Sequence, residues 1–124
     1  FEAFARAVGK PDEQVAVERE RAYNGPVLVA WIVRLTDEVP EVPRHEQWMS
    51  AGGALTNFLT ALHLMGFGAK TLAGRKCTHP SVSDAFCEEG EQLAAFICIG
   101  TPTRAPQPRD VDDPGAALSR WNEA

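Results

Sequence analysis

The sequence predicts one domain that combines helices with buried β-strands. Its 124 residues match the usual size of a single domain. Two apolar runs, "PVLVAWIVRL" at 26–35 and "QLAAFICIG" at 92–100, show no polar alternation, which is typical of strands covered on both faces. Between them, residues 45–65 form a longer run with the composition of a helix. Helices and strands are therefore expected to share one core.

Two helices are predicted before the first strand. The first is indicated by apolar side chains at helical spacing, namely Phe1, Phe4, Ala5 and Val8. A Gly-Lys-Pro sequence at 9–11 ends it, because glycine and proline both interrupt helices. The second helix is expected from about Glu13 to Tyr23, and the Asn-Gly-Pro turn at 24–26 ends it before the strand begins.

The run from His45 to Met65 is predicted to be one long helix. Its apolar side chains lie around most of the helix circumference, so we expect it to be largely buried. Gly52 and Gly53 cost about 1 kcal/mol each inside a helix relative to alanine. They indicate either close packing against another helix or the close approach of a flat ligand.

The segments after this helix are shorter. The glycine-rich stretch "GFGAKTLAGR" at 66–75 is predicted to be a strand-like loop, and "THPSVSDAF" at 78–86 a short helix. After the second strand the chain becomes rich in proline and cannot form a sheet ladder. We therefore divide the single domain 1–124 into a core, 1–103, and a C-terminal arm, 104–124.

Composition excludes several classes of function. The formal net charge is -5, and the basic residues are scattered, so nucleic-acid binding is not expected. No run of about 18 apolar residues occurs, so no membrane span is predicted. The sequence has three cysteines, at positions 77, 87 and 98, and their spacing does not match a Cys-x-x-Cys motif. Free thiols are typical of a reducing compartment, so we expect a cytoplasmic protein.

Side-chain motifs for catalysis or metal binding are not recognisable. His45-Glu46 lacks the second histidine that a zinc protease motif requires, and the histidines are dispersed, so no metal site is predicted. Gly-x-Ser-x-Gly and the dinucleotide-binding glycine pattern are absent from the sequence. Cys77 near His79 leaves open a cysteine-dependent hydrolase. No catalytic side chain is assigned, so an enzyme of this sequence would depend on a bound cofactor for its reactivity.

The ordered series of segments from Val42 to Pro102 resembles the nitroreductase family of FMN-dependent flavoproteins. The shared segments are, in order, "VPRHEQ", "SAGGALTNFLTALHLMGFG", "KTLAG", "HPSVSDAF" and "FICIGTP". Their order is more specific than any one of them. The likeness is greatest to a compact bacterial subgroup of NAD(P)H nitroreductases. It covers nearly the whole chain, which corresponds to the C-terminal two thirds of the family domain.

This resemblance implies an α+β fold in which a mixed β-sheet packs around the long central helix. It implies a domain-swapped homodimer that pairs through this helix and exchanges terminal arms, with FMN at the interface. The loop after the helix would approach the flavin with backbone groups; by position these belong to Thr71, Leu72, Ala73 and Gly74. Glycine permits such an approach because it has no side chain.

A basic residue after the last strand helps to hold the FMN phosphate in many members of the family. Arg104, just past "GTP", is the first candidate for this role, and Arg109 is the second. The alternative is that both are solvated residues of the arm.

The function that the resemblance implies is that of an FMN-dependent NAD(P)H oxidoreductase. It would reduce small-molecule acceptors of the nitroaromatic or quinone type by ping-pong hydride transfer, with NAD(P)H as co-substrate. The arginine-rich segment with which the family grips the FMN phosphate does not occur in 1–124, and we expect it to precede Phe1 in a longer polypeptide. The alternative is a truncated relative that has lost flavin binding and serves as a non-catalytic dimeric module.

Overall fold

The computed structural model of the protein describes residues 1–105, 107, 110, 113–119 and 121. The elements in chain order are α1 (Glu2–Ala7), α2 (Asp12–Arg21), β1 (Val27–Arg34), α3 (Arg44–Leu64), β2 (Gly68–Leu72), α4 (Pro80–Ser83), β3 (Glu91–Gly100) and a 3-10 helix (Pro114–Ala117). The predicted helices and both predicted strands are present, so the α+β class is confirmed. The strand-like loop at 66–75 contains a regular strand, β2.

The three strands form one sheet in the order β1-β3-β2. Both pairings are antiparallel. Phe96 in β3 lies opposite Ala30 of β1 on one side and Leu72 of β2 on the other. The described strands therefore form an antiparallel sheet, whereas the resemblance implies a mixed one.

Only one of the two predicted central strands is central. β3 is flanked on both edges and is buried from Ala95 to Ile99. β1 lies at an edge of the described sheet, and its residues Val27, Leu28 and Ile32 are exposed. The prediction that β1 is covered on both faces is therefore wrong for the described chain. An apolar run does not distinguish a strand covered by its own chain from one whose cover lies elsewhere.

Helices pack on both faces of the sheet. On one face, Phe96 anchors a core cluster with residues of α1, α4 and the loop after β2: Phe4, Cys77, Val82 and Leu93, with Phe1, Ala30, Leu72 and Cys87 at its edge. On the other face, the ring of Trp31 in β1 lies 5.6 Å from the ring of Phe58 in α3. Successive side chains of a strand point to opposite faces, so Ala30 packs against the core cluster and Trp31 packs against α3.

The long helix α3 has the predicted length but not the predicted burial. It spans 21 residues, about 30 Å at 1.5 Å per residue. None of its residues is buried within the part of the chain that the structure describes. Met49 is 72% exposed and Leu64 is 81% exposed. The expectation of a largely buried helix is therefore wrong for this chain alone, because the sheet covers only the side of α3 that carries Phe58.

The end of α3 explains the first glycine of the glycine-rich stretch. Gly66 has a φ of +84°, in the left-handed region that favours glycine. Its N–H donates to the carbonyl of His63, and the N–H of Phe67 donates to the carbonyl of Leu62 at 2.9 Å. This is the hydrogen-bond pattern of a Schellman C-cap. It ends the helix and turns the chain directly into β2.

Candidate functional site

The predicted cofactor-binding residues begin at the end of β2. Leu72, the last residue of β2, packs its side chain against the core cluster. Thr71 precedes it and is exposed, with its side chain on the opposite face of the strand. The two side chains therefore cannot contact one ligand on the same face. A ligand that meets both residues would have to meet their main chain, which is the kind of contact that the resemblance implies.

A tight turn follows β2. Gly74 has a φ of +102°, and its carbonyl accepts a hydrogen bond of 2.9 Å from the N–H of Cys77. The thiol of Cys77 lies 3.7 Å from the carbonyl oxygen of Leu72 and donates to it. A side chain at Gly74 would meet no described atom within 4 Å, so the glycine serves the backbone conformation rather than close packing.

This turn presents main-chain donors. The backbone N–H groups of Ala73, Gly74 and Arg75 have no acceptor among the residues that the structure describes. All three residues are exposed. Three successive N–H donors suit the ring nitrogens and carbonyl oxygens at the edge of a heteroaromatic ring. The residues present therefore fit the main-chain contacts that a flavin requires.

An open cleft of about 710 Å³ adjoins the turn. We call it the Gly74 cleft. It lies between α3, the turn and β3, and its lining residues are Trp48, Gly74, Arg75, Cys77, Thr78, Ser83, Glu91, Gln92, Leu93 and Ala94. An aromatic side chain, apolar core residues and a few polar groups are the usual lining of a small-molecule site.

A second and larger cleft of about 1050 Å³ lies at the other end of β2. We call it the β2–arm cleft. Its described lining residues are Leu59, His63, Gly66, Phe67, Gly68, Ala69, Lys70, Pro102, Arg104, Ala105 and Gln107. They include the cations Lys70 and Arg104 and no carboxylate, although the whole chain has a net charge of -5. The cleft therefore favours an anionic ligand.

Two of the predicted cofactor-binding residues line these clefts, and Thr71, Leu72 and Ala73 are not among the lining residues of either. Gly74 lines one and Arg104 lines the other. Gly74 follows Lys70 by four positions, which is at most about 13 Å at 3.3 Å per residue of extended chain. A ligand in contact with Gly74 and Arg104 would therefore have to extend along β2. Arg109 lies outside the described residues, as does part of the predicted arm 104–124.

Sequence reasoning missed two features of this region. The first is Lys70, which belongs to no recognisable motif although it is a cation in the same stretch as Gly74. The second feature is a buried carboxylate, Glu18 of α2, which accepts hydrogen bonds from Lys76, Lys10 and Arg21 at 2.9, 3.0 and 2.7 Å. A sequence signal existed, because Glu18 is three residues from the buried Val15 and shares its helix face.

The charge of Glu18 is strongly stabilised. Burial alone would raise its pKa, but hydrogen bonds from Lys76 and Lys10, with the charges of Lys76 and Arg21, lower the pKa to about 2. The carboxylate is therefore ionised at all ordinary pH values.

The alternative of a cysteine nucleophile is not supported by the geometry. Cys77 is only 2% exposed, and burial raises the pKa of its thiol, which disfavours the reactive thiolate. His79 does not face it. The ring of His79 lies 5.3 Å from that of Phe4, and its Nδ1 contacts the backbone N–H and hydroxyl of Ser81. The two residues do not form a catalytic pair.

The described residues contain neither a metal-binding cluster nor a membrane-spanning helix. Among the described residues, no three side chains of the metal-ligating types lie close enough together to hold an ion. None of the helices in the described part of the chain has the length and hydropathy of a transmembrane segment.

Comparison with known proteins relates these features to one family. The model of the "Nitroreductase family" matches residues 2–101. A protein of Escherichia coli named "Putative NAD(P)H nitroreductase YdjA" is 33% identical over 116 residues, which are 92% of this chain and 63% of the relative. A "Putative NAD(P)H nitroreductase" of Haemophilus influenzae is 25% identical over 91 residues, 73% of this chain and 50% of the relative.

A solved structure shows the same fold. The "Nitroreductase-like Family Protein from Bacillus cereus" superposes with a TM-score of 0.77 at 13% identity, over 90% of this chain and 59% of that chain. The nitroreductase-like fold predicted from the sequence is therefore confirmed. The chain spans less than two thirds of the length of each of these relatives. Its correspondence to the C-terminal part of the family domain stays a prediction.

Proposed function

Because the chain belongs to the nitroreductase family, we propose that it acts in the FMN-dependent reduction of small molecules by NAD(P)H. The observation that carries this proposal is the turn after β2. It offers, beside an open cleft, three main-chain N–H groups that have no acceptor among the described residues. Such a turn can bind and tune a redox cofactor but cannot replace one.

The ring of FMN would be held by the main chain from Thr71 to Gly74. Leu72 contributes by anchoring β2 in the core cluster, which fixes the position of the turn that follows. The N–H groups of Ala73 and Gly74 would donate to acceptors at the ring edge. Fixed donors of this kind stabilise negative charge on a reduced ring without any proton transfer by the protein.

The phosphate of FMN would be held in the β2–arm cleft. Arg104 is the residue that the family resemblance indicates, and Lys70 lies in the same cleft. Hydrogen bonds from cations to phosphate are charge-assisted and stronger than neutral ones. The placement of Gly74 in one cleft and Arg104 in the other suits a ligand that lies along β2, with its ring toward Gly74 and its phosphate toward Arg104.

FMN supplies reversible two-electron redox chemistry when bound, which is what a ping-pong reduction of nitroaromatic or quinone-type acceptors by NAD(P)H needs. The chain's own part is to bind, orient and electrostatically tune the ring. We assign no catalytic side chain.

We further propose that a second copy of the chain covers α3. Its exposed apolar residues include Trp48, Met49, Leu64 and Met65. A side chain at Gly52 or Gly53 would meet no described atom within 4 Å, so close approach of another helix is sterically open there. Apolar patches of this kind are typical of subunit interfaces. In the domain-swapped arrangement, the arm 104–124 of each copy would reach the other.

The experiment is a redox titration of the purified full-length protein. We expect yellow protein, or uptake of added FMN, followed by bleaching with NADH or NADPH in the absence of oxygen and recovery of colour with a nitroaromatic or a quinone. A colourless protein that takes up no FMN would contradict the proposal. If that protein were also dimeric, the alternative of a non-catalytic dimeric module would be favoured.

A further inference from the structure

We propose that Glu18 is a positioning residue for the turn after β2 and that it acts through Lys76. The proposal rests on the proposed function, since it assigns to Glu18 the task of holding the segment that would contact the flavin. It concerns residues that the sequence alone did not connect, because Glu18 and Lys76 are 58 positions apart.

The first argument is the burial of the ion pair. Glu18 Oε2 lies 2.9 Å from Lys76 Nζ, and the two side chains are only 6% and 12% exposed. Neither charge can regain full hydration while the fold is intact, so removal of Glu18 would leave Lys76 without the carboxylate that it binds. The pair therefore resists separation far more than an exposed salt bridge would.

The second argument is that the two carboxylate oxygens of Glu18 accept hydrogen bonds from different parts of the chain. Glu18 Oε1 accepts from Lys10 and Arg21, which belong to the α1–α2 part of the chain. Glu18 Oε2 accepts from Lys76, which belongs to the turn after β2. Two cations already neutralise the carboxylate without Lys76. The hydrogen bond from Lys76 to Oε2 is therefore not needed to neutralise Glu18. It links α2 to the turn.

The third argument is the position of Lys76 within the turn. It lies between Arg75, whose N–H is one of the unpaired donors, and Cys77, whose N–H closes the turn onto the carbonyl of Gly74. Its Nζ also lies 4.2 Å from the ring centroid of Phe1, which in turn contacts Phe96 of β3. The contacts of this side chain with Glu18 and Phe1 therefore attach a residue of the turn to α2 and to the core.

The test compares Lys76→Met with Lys10→Met in the full-length protein. Both changes remove one cation from Glu18 and keep a long apolar side chain, and each lysine also lies over a phenylalanine ring. Only Lys76→Met releases the turn. Hydrogen exchange of the Cys77 amide, which closes the turn onto the carbonyl of Gly74, is measured without FMN, with exchange in β3 as the monitor of global stability. FMN affinity is measured separately by fluorescence titration.

We expect Lys76→Met to accelerate exchange of the Cys77 amide, which donates to the carbonyl of Gly74, at least tenfold without a matching change in β3. If the turn is then correctly placed only a tenth of the time, the dissociation constant of FMN rises about tenfold. Lys10→Met should leave both quantities within about twofold, and Lys76→Arg should restore most of the protection. Equal effects of Lys76→Met and Lys10→Met, or a change spread evenly over β3, would overturn the proposal.

Two other outcomes are also decisive. If Lys76→Met does not fold, Glu18→Gln is used. Exchange of the Cys77 amide must then rise more than exchange at the Arg21 end of α2, and the reverse order contradicts the proposal. If the unchanged protein binds no FMN, the proposed function fails, while the exchange data still decide whether Glu18 positions the turn.

Discussion

Leu72 and Phe96 are cross-strand partners, and both side chains lie in the same core cluster. The last residue of β2 is thereby fixed to the central strand, and the exposed turn begins immediately after it. The buried sheet and the open turn are separated by a single peptide bond. This places the main-chain donors at 73–75 on a rigid support.

Phe96 is the residue on which this support depends most. Its side chain is almost fully buried, and its ring makes edge contacts with Phe1 at 4.9 Å and Phe86 at 5.1 Å. We expect Phe96→Ala to lower the free energy of unfolding by about 3–5 kcal/mol. Chemical denaturation measures it. Val27→Ala, at an exposed position of β1, is the control and should cost less than about 1 kcal/mol.

Acid should destabilise the protein through Glu18. Its pKa is lowered from 4.5 to about 2 in the folded chain. A lowered pKa contributes stability that is present above the unfolded value and is lost as the pH falls through the folded value. The difference in unfolding free energy between the unchanged protein and Glu18→Gln should therefore shrink by about 3 kcal/mol from about pH 6 to about pH 2.

Glu2→Gln is the matched control for the acid experiment. Glu2 pairs with Arg6 on the surface of α1, at a spacing of four residues, and such pairs contribute about 0.3–0.5 kcal/mol. Its denaturation curves should follow those of the unchanged protein at each pH. A difference for Glu18→Gln that stays constant with pH would show that the carboxylate is not held in its charged form by these partners.

Subunit association should depend on α3. We expect Met49→Glu to weaken the dimer at least tenfold, because the substitution buries an unpaired charge in the proposed interface. Light scattering over a dilution series measures the change. Tyr23→Glu is the control, since Tyr23 is also highly exposed but follows α2, outside the proposed interface. A monomeric unchanged protein, or equal effects of both substitutions, would rule out α3 as the contact.

The cations of the β2–arm cleft should affect FMN affinity. Loss of a charge-assisted hydrogen bond costs about 1.5–3 kcal/mol, so Lys70→Ala and Arg104→Ala should each weaken FMN binding by about tenfold to a hundredfold. Riboflavin, which lacks the phosphate, should lose little affinity in either variant. Arg6→Ala removes an exposed cation on α1 and serves as the control. If riboflavin and FMN were affected alike, the cleft would not be the phosphate site.

Much of the fold could be predicted from the sequence. Local signals defined the helices and both apolar strands, and the Gly66 turn coincides with the end of α3. Burial could not be predicted. The apolar runs of β1 and α3 look like core segments, yet much of their surface is exposed in this chain. Apolar composition alone does not say whether a surface is covered within its own chain.

The candidate site was predictable only in part. The glycine at position 74 marked the turn, because a positive φ favours glycine. The family resemblance supplied Arg104, and nothing in the sequence said that it lies at the opposite end of β2 from Gly74. Nor could the sequence pair Glu18 with Lys76, because that contact depends on how α2 packs beside the turn. Contacts that depend on tertiary packing leave no recognisable pattern in the local amino-acid sequence.

Backbone amide resonances of the full-length protein, followed by NMR while FMN is added, test the central claim most directly. We expect the largest shifts at Ala73, Gly74 and Arg75, with further shifts near Lys70 and Arg104, and little change along α2. If FMN bound without shifting the amides at 73–75, or shifted them no more than those of α2, the main-chain turn after β2 would not be its binding site.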